Sequence, residues 1–548
     1  MDNTVLVRLK EWVKGINWPL LVFLLLFLNV KLFIKLFALV LIYFLRPNFK
    51  FGFKAKQSRL PLFYLGVIAI AVINWVAFKY FLSIHYNVAF VSGIAFWLLC
   101  ILAIHQIKLA VDTTEPAVLH RTITVFFVLN ALVSFANILL IILKIKEINP
   151  YTFQGNYQEY FLNTGDYIKG ITFDVSITNA SIAAFGVIYY LFRQNIKMLL
   201  LCVLVLLLAA SNTINIMLFT VLILAFIFRS TRVQKSMIVV CLMMLVTFMV
   251  KVSPQNMYYI DKMYNKMVFN KNVSFDPVPV KEVRITTIPD SLLNPLQKQQ
   301  KIAQLYLDTL SLKLEKEYQA KHIKAPEPLG LVKYELPKDS IHTAMFQPRS
   351  DTDRMQQKLI AFIAQHQNSL HLATQSETTK RIIPGKVITF RQTALFLKKH
   401  PAKVLTGDGM GNFSSKLAFR STSLGMAGGY PVKYAFISPD FLTNHLDVYL
   451  NFFSRRTGMH SVTNSPDSVY DQLLSEYGLA GLVIFLLFYI GYFLKQRRYL
   501  SYGLPLLLFV GCVFFTDYWF EQLSIVVLLE LLLLADIREN QLLKLNTA

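Results

Sequence analysis

The chain has 548 residues, 55% of them hydrophobic and only 16% charged, with a mean hydropathy of +0.47. Soluble globular proteins carry about 25% charged residues, so a soluble enzyme is excluded, as are disordered and fibrous classes. The formal net charge of +23 would suit nucleic acid, but membrane proteins gather basic residues in cytoplasmic loops for topological reasons, and no nucleic-acid partner is expected.

A bilayer core about 30 Å thick needs roughly 20 apolar residues per helix. The first apolar block, 19–45, is either one long tilted helix or a hairpin turning near Asn29 and Lys31. Its flanks favour the hairpin. Arg8, Lys10 and Lys14 precede it, and Arg46, Lys50, Lys54, Lys56 and Arg59 follow with no acid among them. Both flanks read as cytoplasmic, so the block crosses twice or dips in and returns. With no signal-peptide cleavage site after it, the N-terminus is expected to be retained. Further spans follow at 60–82, 87–107, 122–143, 173–192, 196–210, 213–228 and 234–250, with Ser211, Asn212 and Thr213 marking a polar turn. Cys100, Cys202, Cys241 and Cys512 all fall in apolar runs and read as small core hydrophobes.

A long hydrophilic stretch, 251–465, comes next, and spans at 478–495, 501–516 and 519–536 close the chain. The expected fold class is an all-α polytopic membrane protein of about twelve transmembrane helices, both termini cytoplasmic. Residues 1–250 would make about nine crossings and 466–548 about three, with 251–465 a large, mainly helical outer (periplasmic) domain. Within it, 290–323, capped by Asp290 or Ser291, and 351–372 read as amphipathic helices. Lys and Arg outnumber acids there, which the positive-inside rule does not predict. The excess points to an anionic partner: lipid headgroups, diphosphates or acidic glycans.

No metal-binding motif and no phosphate-loop lysine occur. Gly407, Gly409 and Gly411 alternate in Gly407-Asp408-Gly409-Met410-Gly411-Asn412-Phe413, a pattern that by itself reads as a tight turn. Context adds to it. Gly385-Lys386 is followed four residues on by Phe390, then by a helical run, His400-Pro401 and the glycine turn. Downstream, Asp467-Ser468 leads through Leu473 into Glu476-Tyr477-Gly478 and Gly481. Upstream, Gly170 to Ala180 and Ala210-Ser211-Asn212 stand before and between spans. Together these resemble the O-antigen ligase and polymerase family, in spans, outer loop and loop motifs; residues 251–380 carry no such resemblance.

The resemblance implies an undecaprenyl diphosphate-linked glycan donor and a lipid, glycan or protein acceptor. It implies no cofactor and no metal. Its departures lie at the catalytic positions: Asp467 stands where the family has His, and Lys386 and Asn212 stand where it has Arg. Asp467, Lys386 and Arg391 are the candidate catalytic residues, and Arg455, Arg456, His400, Asn212, Glu476, His460 and His445 the candidate substrate-binding ones. A diphosphate leaving group gains from a guanidinium fork, for which lysine substitutes only as a charge. A sugar hydroxyl needs a base within hydrogen-bond reach, and an unperturbed Asp, with a pKa of about 3.9, is a weak one. Asp467 also fits the first turn of a helix begun by Ser465-Pro466, where the dipole favours an acid regardless of function. Glu476 enters a span, where an unpaired charge is costly. The implied protein is a glycosyltransferase of the bacterial inner membrane; the alternative is a scaffold or transporter of envelope glycans without catalysis.

Overall fold

The computed structural model describes residues 15–54, 58–152, 164–253, 289–290, 301, 384–422, 430–452 and 462–547. The amphipathic helices expected over 290–323 and 351–372 lie outside the described residues, apart from Asp290 and Lys301, which pair at 2.7 Å. Among the described residues every regular element is helical.

The first apolar block is two helices, α1 (Trp18–Phe27) and α2 (Leu32–Leu45). Asn17 caps α1 by accepting from the Leu20 N–H at 3.1 Å. The break after α1 is held by side chains from elsewhere. Lys35 Nζ donates to the Phe27 carbonyl at 2.8 Å, and Ser524 Oγ to the Leu28 carbonyl at 2.9 Å. The Val30 N–H reaches the Thr172 carbonyl at 2.8 Å. The carbonyls freed at the end of α1 are thus satisfied inside the protein, as lipid surroundings require.

Among the described residues there follow α3 (Phe63–Ala77), α4 (Ile84–Thr113), α5 (Pro116–Ile145), α6 (Ser176–Phe192), α7 (Ile196–Leu208), α8 (Asn212–Phe228) and α9 (Arg232–Thr247). The polar turn expected at 211–213 is present. Ala210 adopts φ 48° there and packs against Gly165. The later part of the chain forms α10 (Gly385–Lys399), α11 (Lys416–Ser421), α12 (Pro439–Asn444), α13 (Leu446–Phe452), α14 (Val469–Ile484), α15 (Gly503–Val513), α16 (Trp519–Gln522) and α17 (Ser524–Thr547).

Among the described residues, four helical stretches are long and apolar enough to cross a membrane: Ile84–Thr113, Pro116–Ile145, Arg232–Val252 and Val469–Leu494. Seven shorter apolar helices of 10–17 residues pack among them. The run expected to span 519–536 is broken. Asp517 accepts from the Tyr518 N–H and from Gln522 Nε2, both at 2.6 Å, which fixes the short α16. Leu523 then turns the chain with φ 69°, and the long helix runs from Ser524 instead. Three of the four cysteines are buried and none is paired.

The two ends of the bundle differ in chemistry. At one end Arg59 and Lys108 share Asp112, at 2.9 and 2.8 Å, and Arg193 pairs with Glu539. At the other, Asn74 Nδ2 donates to the Thr406 carbonyl at 2.6 Å, and Tyr86 Oη to the Met410 carbonyl at 2.9 Å. The 30-residue α4 joins the two ends and measures about 45 Å at 1.5 Å per residue.

Candidate active site

Helix α14 is interrupted at Gly478, whose φ of 65° and ψ of −165° are not helical. The interruption frees backbone groups on both sides, and the glycine-rich segment fills it. The Asp408 and Gly409 N–H groups donate to the Ser475 and Glu476 carbonyls, at 2.8 and 3.0 Å. The Leu479 and Ala480 N–H groups donate to the Val404 and Leu405 carbonyls, both at 2.9 Å. A Cβ on Gly478 would stand 2.4 Å from the Leu405 carbonyl oxygen, and one on Gly407 2.3 Å from the Glu476 carbonyl carbon. Both positions therefore require glycine, by conformation and by space.

Past this crossing the loop folds around the Glu476 side chain. Oε2 accepts from the Gly411 N–H at 2.8 Å. Oε1 accepts from the N–H groups of Phe413, Ser414 and Ser415, at 3.1, 3.1 and 3.0 Å. The side chain is fully buried. Successive N–H groups of this kind form an anion cradle, here filled by the protein's own carboxylate. Glu476 is thus paired, with backbone and not with a cation.

Beside this frame lies a group of carboxylates. Lys386, in the first turn of α10, directs its ammonium at backbone carbonyls: Ser465 at 3.2 Å, Thr516 at 3.5 Å, and Asp467. It thereby ties the segment entering α14 to the α15–α16 turn. Burial lowers the Lys386 ammonium to about 8, with Asp467, Asp517 and Asp471 opposing the shift. Burial raises the Asp467 carboxyl to about 6; Asp517 adds to the rise, and Lys386 and Lys416 reduce it. An acid in this range is a competent base near neutral pH. Asp471, one turn on, is fully buried beside Thr393 and Ser414. The Tyr449 and Tyr518 hydroxyls meet over the Ser414 carbonyl, to which Tyr449 donates at 3.0 Å.

Of the residues singled out from sequence, Asp467, Lys386 and Glu476 come together here. Arg391 lies on the exposed side of α10, five residues and so roughly 140° around from Lys386. His400 ends α10, exposed, with its ring 4.8 Å from that of Phe396. His445 is fully buried among Phe413, Phe441 and Tyr449, and burial alone pushes it down to about 3, so it is neutral. Asn212 opens α8 beside the turn packed on Gly165. Arg455, Arg456 and His460 lie outside the described residues.

Sequence reasoning missed Asp517, Lys416 and Arg420. Asp517 was legible as a lone acid between two apolar runs. Lys416 and Arg420 stand one helical turn apart on α11, both half-buried, and the buried Arg420 Nε has no hydrogen-bond partner. Neither carried any signal beyond its charge. The positive charge of both lies within electrostatic range of Glu521, and that of Lys416 within range of Asp467. No metal-ligating cluster occurs among the described residues.

No family model, curated protein or solved structure matches the chain.

Proposed function

We propose that the protein is a glycosyltransferase of the bacterial inner membrane, similar to the O-antigen ligases and polymerases. It takes a glycan from an undecaprenyl diphosphate carrier and joins it to a lipid, glycan or protein acceptor. The observation that carries this reading is the Asp467 carboxyl, raised to about 6 and held beside cations at one end of an apolar bundle. In the proposed step Asp467 takes the proton of the acceptor hydroxyl, and that oxygen bonds to the anomeric carbon. The bond from that carbon to the diphosphate oxygen breaks, and undecaprenyl diphosphate leaves with the electron pair. Lys386 positions the Asp467 segment, since its ammonium is occupied by carbonyls. Among the described residues, Lys416 and Arg420 are cations placed to meet the diphosphate, Arg420 with the fork that suits phosphate oxygens. A transfer assay with purified protein and lipid-linked glycan tests the reading; no turnover with any acceptor would favour a non-catalytic scaffold.

Arg420→Ala is expected to lower transfer about ten- to a hundredfold, the scale of one charge-assisted hydrogen-bond pair. Arg420→Lys should recover only part of it. Unchanged rates in Arg420→Ala and in Lys416→Ala would remove α11 from the site.

The proposed topology has twelve crossings, both termini cytoplasmic and 251–465 periplasmic. It is supported by the gathering of Arg59, Lys108 and Arg193 at the end of the bundle away from Asp467. Reporter fusions at Arg59 and Ala548 should read as cytoplasmic and one at Glu327 as periplasmic. The opposite readout at Glu327 or Ala548 would overturn it.

A further inference from the structure

Helix α10 runs across one end of the bundle and not along it. The Phe390 ring stands 6.2 Å from that of Phe515, just past the end of α15. Further along, the Lys403 ammonium lies 5.2 Å over the Phe396 ring and 5.7 Å over that of Phe78, just past the end of α3. The 15-residue α10 measures about 22 Å at 1.5 Å per residue and bridges these two helix ends. Its outward side is amphipathic. Val387, Phe390 and Ala394 follow the i, i+3, i+7 spacing of one helical face; Val387 and Ala394 are exposed and Phe390 is half-buried. Phe515, 44% exposed, prolongs the exposed apolar stripe that Leu504 and Leu508 form on α15, so the stripe of α15 leads into that of α10. Lys398 and Lys399, both exposed, occupy the last turn. No acid occurs in α10. Among the described residues the acids near it approach from its packed sides: Asp467 and Asp471 act on Lys386, and Asp447 accepts from Gln392 Nε2 at 3.0 Å.

We propose that α10 is seated in the surface of the bilayer leaflet at the Asp467 end. Val387, Phe390 and Ala394 lie at the level of the glycerol and first acyl carbons, and Lys398 and Lys399 lie among the phosphates of anionic lipids. An apolar stripe that continues the exposed side of a bundle helix, flanked by lysines, has the make-up of a helix lying in the lipid interface. Lysine stems reach over such a boundary and place their ammoniums among the headgroups. Anionic lipids are the favoured partners, because no acid on α10 answers the two charges. Lys386, on the same helix, holds the Asp467 carbonyl, so the seat fixes the depth of that carboxylate relative to the lipid. The inference concerns the lipid surface and does not depend on glycosyl transfer.

The test uses the full chain in phosphatidylcholine nanodiscs. A bimane is attached at Ala394→Cys, an exposed position, in a Cys512→Ser chain whose other thiols are buried. A fixed fraction of the lipid carries a nitroxide high on its acyl chain, on either phosphatidylcholine or phosphatidylglycerol. Both should quench the bimane, and the phosphatidylglycerol about fivefold more effectively, the scale of one lysine at an anionic lipid surface. Lys398→Gln combined with Lys399→Gln should abolish that preference. The proposal is overturned if neither lipid quenches. Quenching by aqueous iodide would then show a solvated face, and protection from iodide as well a face covered by protein, such as a second copy of the chain. Equal quenching by the two lipids in the chain that keeps both lysines, or a preference that survives their replacement, would also overturn it.

Discussion

Asp467→Asn is expected to reduce glycan transfer by about 10² to 10⁴, the usual contribution of a positioned base, while the protein folds and packs as before. Asparagine keeps the shape, and the Asp467 backbone contacts do not involve the side chain: its carbonyl accepts from Lys386 and its N–H donates to Ser465 Oγ at 3.2 Å. The basicity is lost together with the negative charge that opposes the lowering of the Lys386 ammonium. The pH dependence gives an independent readout. A base must be ionised to act, and the Asp467 carboxyl, raised by burial to about 6, gains its charge as pH rises through that value. The rate should therefore climb across pH 6 and level off above it. In Asp467→His, with an unperturbed pKa of about 6.5, activity should be retained in part. The first-turn role expected from the sequence falls to Asp471, because the helix starts at Val469 after the Ser468 N-cap and Asp467 lies before it; if Asp467 is not the base, Asp467→Asn would leave the rate untouched. Asp471 is one turn away and buried, so the double variant with Asp471→Asn is the decisive control. Full transfer activity in that double variant would end the assignment of either carboxylate as base.

The site was partly legible in the sequence because some of its physics is local. An acid entering a span demands a partner wherever the chain goes next, so Glu476 stood out without a structure. Its partners could not be read. They are backbone N–H groups of residues 411–415, and every residue type except proline carries one. The same holds for the crossing at Gly478: the sequence shows a glycine, but not the loop seventy residues earlier that it admits. Lys386 was legible as a charge, yet its engagement with three carbonyls depends on how α10 meets the turns before α14 and after α15. For the fold, basic flanks identified the α1–α2 hairpin, because charge placement relative to the membrane is a one-dimensional signal. The end of the chain was misread for the converse reason. Glu521, Gln522 and Ser524 flank the turn at Leu523, but the turn itself rests on Asp517 binding Tyr518 and Gln522, which the sequence does not show.

Replacing Glu476 should have the largest effect on folding. In Glu476→Ala four buried N–H groups lose their acceptor at once. Each unsatisfied buried donor costs about 1–3 kcal/mol, so the sum rivals the 5–15 kcal/mol that typically holds a domain together. This variant should fail to accumulate or should unfold on extraction. Glu476→Gln separates charge from volume. Its carbonyl can replace Oε1 and keep three of the four hydrogen bonds, but its NH₂ then faces the Gly411 N–H, donor against donor. The expected loss is one unsatisfied pair plus the charge-assisted part of the other three, on the order of 2–4 kcal/mol. It should appear as a clearly lowered unfolding midpoint in detergent, with the fold retained. Glu476→Asp carries the charge on a shorter stem and cannot span the same cradle, so it too should be destabilised. A wild-type midpoint for Glu476→Gln would show that the cradle does not need an anion. The glycine turn would then be a packing element.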